Sequence, residues 1–191
     1  MERTILKLIS KKKIVNGKEY VERPSSMLKG KIFDYLKRKI FEKNFNKSPK
    51  FTIDELMIIL DKTERLYMDK NYAYQIDIND NPRIILQIVH PIMICDIMEM
   101  DKIKDFGFSV YIVFDTSSKE ESRNLKKFQN IFSKSEYLEC KQDNKIHLIA
   151  INCGTNKKLV KSFTSNILSD VFEKPLTTKY QFSLHNNGKI E

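Results

Sequence analysis

Two nearly continuous apolar runs in the second half of the chain set the strongest limit on its fold. The first is Phe-Ser-Val-Tyr-Ile-Val-Phe at Phe108 to Phe114, and the second lies at Ile146 to Ile151. Such runs are typical of central strands whose two faces are both covered. Helical patterns of crossover length alternate with strand-like segments around them. We therefore expect an α/β half with at least one parallel strand pair.

Local signals predict the other elements of this half. Capping residues, apolar spacing and turn residues mark where each element begins and ends. In chain order we expect a helix from Pro91 to about Asp105, a helix from Ser118 to about Ser133, strands at Glu136 to Cys140 and Lys145 to Asn152 around Asp143-Asn144, a helix from Asn156 to Phe172, and a strand from Lys179 to Leu184 with a frayed tail.

Composition indicates a soluble globular protein of mixed α/β (α+β) class. The chain has 191 residues, of which 41% are hydrophobic and 31% are charged. No apolar window approaches the roughly 18 residues that a membrane span needs, so we expect no membrane partner. Its three cysteines (Cys95, Cys140 and Cys153) are widely spaced and form no C-x-x-C pair. This pattern favours a reducing, cytoplasmic location, without a disulfide framework, a metal site or a cofactor.

The excess positive charge is concentrated at one end of the chain. Residues 1–50 hold 15 of the 34 lysines and arginines but 5 of the 25 acidic residues, a net charge of +10. The other 141 residues carry 19 basic and 20 acidic side chains, a net charge of −1. Concentrated positive charge is the electrostatic footprint of a polyanion-binding protein, and nucleic acid is the expected polyanion.

Two elements are expected to carry this charge. Asn16-Gly17 favours a tight turn between strands at Thr4 to Ile9 and Lys18 to Glu22. Ser25 and Ser26 can cap a cationic amphipathic helix from Met27 to Asn44. The hairpin lysines have an alternative interpretation as solvated protection of an edge strand. The candidate nucleic-acid contacts are Lys11, Lys12 and Lys13 near the hairpin turn and Lys29, Lys31, Lys37, Arg38 and Lys39 on the helix.

The following segment begins with a complete helix-start signature. Thr52 is the expected N-cap, Glu55 completes a capping box, and Phe51 and Leu56 occupy the hydrophobic-staple positions. Asp61-Lys62 is expected to turn the chain. The elements that follow in the prediction are a third helix capped by Thr63 from Glu64 to about Lys70, then strands at Tyr72 to Ile78 and Arg83 to Val89.

The order of helix, short helix, helix and hairpin over residues 26–90 resembles a winged helix-turn-helix. The resemblance implies that the third helix, with Arg65, enters the major groove and that the hairpin wing contacts the DNA backbone. Two features depart from the family: Glu64 and Asp69 balance the positive charges of the third helix, and Asp80 lies at the wing tip. Phosphate contacts would then come mainly from the first helix and the N-terminal hairpin.

An alternative hypothesis places chemistry in the second half. A nuclease of the PD-(D/E)xK type would use Asp115 as a metal-binding carboxylate, with Glu139 and Lys141 as the E-x-K pair. Such sites hold Mg²⁺ between two carboxylates, with a lysine near the attacking water. Asp115 and Ser117 also suit plain helix capping, which is the favoured interpretation. His147 is interpreted as a structural histidine that opens a buried strand.

Together these observations predict a basic, winged-helix-like half at residues 1–90 and an α/β half at residues 91–191. The expected function is binding of double-stranded DNA in a regulatory or replication-accessory role, and no enzymatic activity is assigned. The second half would serve dimerisation, a ligand or a protein partner. Two alternatives remain open: the Mg²⁺-dependent nuclease, and a protein-binding inhibitor or adaptor whose basic face meets an acidic partner.

Overall fold

The structure is a computed structural model that describes residues 11–15, 18–22, 36–43, 46–47, 50–67, 72–80, 83–99, 101 and 105–190. The chain divides into two compact units, residues 1–41 and 42–191. In the first unit, strands β1 (Lys11–Val15) and β2 (Lys18–Glu22) form an antiparallel pair. Residues 36–43 are helical and are named α1.

The second unit contains a six-stranded sheet in which every strand pairing is antiparallel. The spatial order is β6-β7-β5-β4-β3-β8. The mixed α/β class is confirmed, but the predicted parallel pair is wrong. Strands β5 and β6 run in the same direction, and the β6–β7 hairpin inserts β7 between them. The strands are β3 (Tyr72–Asp80), β4 (Arg83–Val89), β5 (Phe108–Asp115), β6 (Leu138–Gln142), β7 (Ile146–Gly154) and β8 (Gln181–Lys189).

Most of the helices pack on one face of this sheet, which we call the helix face, whereas Ile94 packs on the opposite face beside Val89 and Tyr111. Tyr67 packs edge-on against Tyr74 with ring centroids 5.7 Å apart, and Phe114 packs between Phe128 and Phe172 at 5.9 and 6.0 Å. Because strand side chains alternate, residues next to these point to the opposite face, which we call the open face. The remaining helices are α2 (Leu56–Tyr67), α3 (Ile92–Cys95), α4 (Lys119–Ile131) and α5 (Lys157–Asn166), which continues into a π-helical turn at Ile167–Val171.

The predicted turn at Asp61-Lys62 and the separate third helix are wrong. The capping box of Thr52 and Glu55 is present, and a 3₁₀ turn at Ile53–Glu55 leads directly into α2. Thr63 does not cap a new helix, because its hydroxyl donates to the Ile59 carbonyl 2.9 Å away. The helix continues because one apolar stripe is buried along its whole length. That stripe consists of Leu56, Ile59, Leu60, Thr63 and Tyr67.

The predicted hairpin of β3 and β4 forms, but it does not project as a wing. Strand β3 pairs with β8, and β4 pairs with β5, so the hairpin lies in the middle of the sheet. The two elements on which the winged-helix resemblance depended therefore have a different arrangement. Strands β4 and β5 lie on either side of residue 90 in the chain and pair with each other. The second unit therefore continues across the boundary that the sequence predicted.

Two further element ends differ from prediction. The helix expected to reach Asp105 ends at Cys95, and Glu99 has a φ of 53°, which an α-helix of L-residues cannot continue through. The expected frayed tail is instead part of β8, because the long strand β3 supplies pairing partners beyond Leu184. His185 pairs with Gln75 in this extension.

Candidate nucleic-acid interface

The described residues between 36 and 50 present only positive charge to solvent. Their one acidic residue, Glu42, is 8% exposed and accepts hydrogen bonds from the Tyr67 hydroxyl at 2.6 Å and the Asn186 amide at 3.2 Å. A buried, hydrogen-bonded carboxylate contributes little to the field above the surface. Lys37 and Lys39 are exposed in the first unit, and Lys43, Lys47 and Lys50 are exposed in the second. We call Lys43, Lys47 and Lys50 the basic segment.

The N-terminal lysines lie within a strand rather than beside a turn. Lys11, Lys12 and Lys13 belong to β1 and pair with Glu22, Val21 and Tyr20 of β2. The Val15–Lys18 pair brackets two residues, as the predicted Asn16-Gly17 hairpin requires. The predicted strand at 4–9, the turn residues themselves, and Lys29 and Lys31 lie outside the described residues.

Two predicted arginine contacts differ from the lysines in their surroundings. Arg38 is 3% exposed, and it shares a helix face with the buried Glu42 four residues later. A buried guanidinium is not positioned to reach a phosphate, so Arg38 does not belong to the basic segment. Arg65 is exposed on α2, where Asp61 and Glu64 form ion pairs with Lys157 at 2.5 and 2.6 Å. Acidic neighbours dilute its positive field.

The three residues of the nuclease hypothesis are not brought together. Asp115 and Gln142 both pair with Ile146, whereas Glu139 pairs with Ile149, three residues further along β7. Since side chains alternate, an offset of three places Asp115 and Glu139 on opposite faces of the sheet. Their carboxylates therefore cannot share one metal ion. Groups of three or more metal-ligating side chains are absent from the part of the chain that the structure describes.

Asp115 forms a local turn before α4 and does not cap the helix, since the N-cap is Ser118 and no side chain donates or accepts a capping hydrogen bond there. The Asp115 carboxylate accepts a hydrogen bond from the Ser117 backbone N–H at 2.9 Å, just before α4 begins. The hydrogen bonds from Ser117 lower the pKa of the Asp115 carboxyl, and the charge of Lys145 acts in the same direction. The side chain is exposed and orients the chain for the helix start.

Glu139 is bonded to His147 on the helix face. Its carboxylate lies 2.5 Å from His147 Nδ1, and both side chains are largely buried, with exposures of 19% and 11%. The interaction joins β6 and β7 diagonally and fixes the orientation of the imidazole ring. Lys141 pairs with His147 in the backbone register and is itself exposed.

A second histidine–carboxylate pair lies on the open face. Asp77 is 6% exposed, and its Oδ1 accepts hydrogen bonds from the amides of Gln75 at 2.8 Å and Gln87 at 2.7 Å. Its Oδ2 lies 3.0 Å from His185 Nε2. Within the described residues, no serine, threonine or cysteine side chain is hydrogen-bonded to His147 or His185. Neither pair therefore has an adjacent nucleophile, and both join neighbouring strands.

Sequence reasoning missed both pairs, although the β6–β7 hairpin that holds Glu139 and His147 was predicted. The turn residues Asp143 and Asn144 have φ values of 51° and 56°, which fix the register of β6 and β7. That register places Glu139 diagonally from His147. In the β3–β4 hairpin, counting from the turn pair Asp80–Arg83 would place Asp77 opposite Leu86, because the β-bulge at Ile78/Asn79 shifts the register to Gln87. Hairpin register therefore identifies the first pair, whereas the second depends on the bulge and on the distant strand β8.

Neither the described helices nor the comparison with known proteins adds an indication of what the molecule binds. The helices in the described ranges include none with the length and apolar composition to cross a bilayer. Comparison with known proteins gave no match to a family model, a curated protein or a solved structure.

Proposed function

We propose that this protein binds nucleic acid by contacting the phosphate backbone with its basic N-terminal region. The observation that carries the proposal is the segregation of charge. Residues 1–50 have a net charge of +10 and the remainder has −1. In the second unit, the three lysines of the basic segment are exposed while Glu42 is buried. A surface of one sign attracts a polyanion at long range.

Backbone contact is the mode that these side chains favour. Lysine ammonium groups act as point charges on flexible stems, which suits phosphate oxygens and gives little discrimination between bases. The continuous helix α2 and the central position of the β3–β4 hairpin provide no separate recognition helix or free wing. The proposed binding is therefore largely independent of base sequence and strongly dependent on salt.

Duplex DNA is the proposed ligand because of its charge density. A duplex carries one phosphate charge about every 1.7 Å of its axis, and each neutralised phosphate releases more condensed counterion than in a single strand. A cluster of exposed lysines therefore gains more from a duplex than from a single strand of equal length. We propose a regulatory or replication-accessory role for this binding.

The test measures fluorescence anisotropy of labelled duplex DNA against the full chain at several salt concentrations. The variant Lys43→Gln/Lys47→Gln/Lys50→Gln removes three exposed charges of the basic segment. The matched control is Lys126→Gln/Lys134→Gln/Lys158→Gln, which removes three exposed lysines from the rest of the chain. Each phosphate contact contributes about −0.9 to the slope of log K against log salt, so the first variant should flatten the slope by up to roughly 2.7.

The control triple variant should retain the slope of the natural sequence. Equal losses in the two triple variants would show that only net charge matters, which would refute the basic segment as the contact. Absence of duplex binding at low salt would refute the proposal as a whole. Single-stranded DNA of the same length should bind more weakly, and a preference for it would overturn the assignment to duplex DNA.

A further inference from the structure

The second unit covers one edge of its own sheet. Strand β8 is an edge strand, and such edges expose a row of backbone N–H and C=O groups that lack a strand partner. Three residues next to the lysines of the basic segment are attached to this edge, namely Glu42, Asn46 and Phe51. The sheet therefore sets the positions of those lysines.

Asn46 makes the central attachment. Its side-chain oxygen accepts a hydrogen bond from the Leu184 N–H at 2.8 Å, and its side-chain nitrogen donates to the Leu184 C=O at 3.0 Å. One amide thus satisfies both backbone groups of an edge residue, as a neighbouring strand would do. Two hydrogen bonds to one residue restrict the movement of Asn46, so the adjacent Lys47 projects from a fixed point.

Attachments on either side fix the two ends. Phe51 and Tyr180 exchange two backbone hydrogen bonds of 2.8 Å, and the Phe51 ring packs edge-on against Phe182 with ring centroids 5.8 Å apart. At the other end, the Asn186 amide donates to the Glu42 carboxylate at 3.2 Å. The attachments run along β8 from residue 180 to residue 186, a length of about 20 Å at roughly 3.3 Å per residue. Each lysine of the basic segment adjoins one attachment, so the three lysines form a row along β8.

A lysine from a distant part of the sequence extends this row. Lys179 precedes Tyr180 and is exposed. Tyr180 is buried on the helix face, and Phe51 pairs with it. Because the side chains of extended backbone alternate, Lys50 and Lys179 should point together towards the opposite side. The extended row, which we call the edge row, contains Lys43, Lys47, Lys50 and Lys179.

Little negative charge opposes the edge row. Strand β8 contains no acidic residue. Glu42 and Asp77 contact the strand, but they are 8% and 6% exposed and are hydrogen-bonded. Asp80, whose charge acts on Tyr180, forms an ion pair with Lys174 at 2.7 Å. The lysines therefore determine the sign of the field along this edge.

We propose that duplex DNA lies against the β8 edge of the sheet, with Lys179 as a further phosphate contact and Asn46 as a positioning residue. This inference rests on the proposed function and names the surface that carries it. A row of about 20 Å covers the rise of roughly six base pairs, which brings several phosphates within reach of the edge row. Lysines held by the sheet lose less conformational freedom on binding than lysines of a flexible tail. Asn46 therefore raises the affinity without touching the DNA.

The first test measures the binding of Lys179→Gln to labelled duplex DNA by fluorescence anisotropy at several salt concentrations. Loss of one phosphate contact should flatten the slope of log K against log salt by about 0.9 and weaken binding up to about eightfold at 0.1 M salt. The matched control is Lys141→Gln, which removes an exposed lysine from β6 at the other edge of the sheet. It should bind like the natural sequence.

Two outcomes of this test would overturn the inference. One is duplex binding by Lys179→Gln that equals that of the natural sequence, and the other is an equal loss in Lys179→Gln and Lys141→Gln. Both positions are exposed, so circular dichroism should show an intact fold. If the natural sequence itself does not bind duplex DNA at low salt, the proposed function fails, and that result is distinct from either of these two.

The second test separates positioning from contact. Asn46→Leu removes both hydrogen bonds to Leu184, so the Leu184 amide should exchange its hydrogen about tenfold faster. Duplex affinity should fall roughly fivefold, because the neighbouring lysines must then be ordered on binding. The salt slope should not change, since every lysine of the edge row is retained. Asn46→Ala removes the same bonds with a smaller side chain and should give the same result.

The control for this substitution is Asn130→Leu on the exposed surface of α4, which should leave affinity and slope unchanged. Faster exchange at Leu184 with undiminished duplex affinity would refute Asn46 as a positioning residue. A flattened salt slope in Asn46→Leu would also refute it, because the variant would then have lost a phosphate contact.

Discussion

The two faces of the six-stranded sheet are built from neighbouring residues of the same strands, yet they have different chemistry. On the helix face, Ile76, Ile112 and Phe114 are at most 1% exposed. On the open face, Val113 is 41% exposed and Asp77 is surrounded by amide side chains. The comparison teaches that the apolar runs do mark burial on both faces, since Phe108–Ile112 and His147–Ile151 are buried throughout, and that the cover on the open face of β5 ends at Val113.

The largest expected difference between the faces is in packing. Ile112→Ala should lower the free energy of unfolding by about 3 kcal/mol, because it leaves a cavity between the sheet and the helices. Val113→Ala should cost less than about 0.5 kcal/mol, since that side chain is already exposed. Urea unfolding followed by circular dichroism measures both, because the chain contains no tryptophan. Equal losses would contradict the distinction between the faces.

Hydrogen bonding on the open face should have the next largest effect. Asp77→Leu removes the acceptor of the Gln75 and Gln87 amides, and half-buried donors without an acceptor should cost about 2 kcal/mol. Asp77→Asn retains a side-chain oxygen and should cost about half as much. Asp96→Leu is the control, because Asp96 is exposed after α3. A harmless Asp77→Leu would show that solvent satisfies both amides.

Local signals in the sequence predicted the elements well. The capping box at Thr52 and Glu55, the Asp143-Asn144 turn and the cap at Asn156 all form, and the Asn156 side chain accepts from Leu159 N–H at 3.1 Å. These signals succeed because each depends on residues within one turn. Thr63 shows their limit, since the same residue type bonds back to Ile59 when an apolar stripe continues past it.

Strand order and site residues were less predictable, because they depend on distant residues. The direction of Ile146–Gly154 relative to β5 depends on where the β6–β7 hairpin docks, and no local pattern near β5 encodes that position. The sequence also predicted that Arg38 contacts phosphate, but both Arg38 and Glu42 are buried on α1. The sequence-level charge total nevertheless predicted the exposed lysines of the basic segment, because solvation keeps most lysines at the surface.

The dependence of stability on pH should test the burial of His90 on the helix-face side of the sheet. The ring is 1% exposed, contacts Tyr74 and Phe106, and accepts a hydrogen bond from Ile92 N–H at 3.2 Å. Burial lowers the pKa of His90 to about 4, whereas an unfolded histidine has a pKa of about 6.5. As pH falls below 6.5, the unfolded state therefore takes up the proton first, and the stability from neutral His90 is lost towards pH 4.

The expected loss from His90 between pH 7 and pH 4.5 is about 2 kcal/mol. His90→Asn retains an acceptor for Ile92 N–H and removes the titration. Its stability should therefore fall less steeply with acid than that of the natural sequence. His185→Asn is the comparison on the open face, where the side chain is 48% exposed. Parallel pH curves for the natural sequence and His90→Asn would contradict neutral burial of His90.

The smallest expected effect concerns the outer surface of the helix layer, where charged side chains form ion pairs. Lys157 of α5 donates to Asp61 at 2.5 Å and Glu64 at 2.6 Å on α2, and these hydrogen bonds raise the pKa of Lys157. Exposed ion pairs contribute little, so Lys157→Met should cost under about 1 kcal/mol, and less at high salt. Lys158→Met should have no effect, because Lys158 is exposed on the adjacent position.

A larger loss that high salt leaves unchanged would contradict this expectation, because screening weakens an exposed ion pair. It would mean that the aliphatic stem of Lys157, rather than its charge, packs α5 against α2. A small, salt-sensitive loss would instead assign the attachment of α2 to residues such as Leu56 and Leu60, which are fully buried. In that case the charged side chains between α2 and α5 contribute little to the contact and serve mainly to solvate the outer surface of the helix layer.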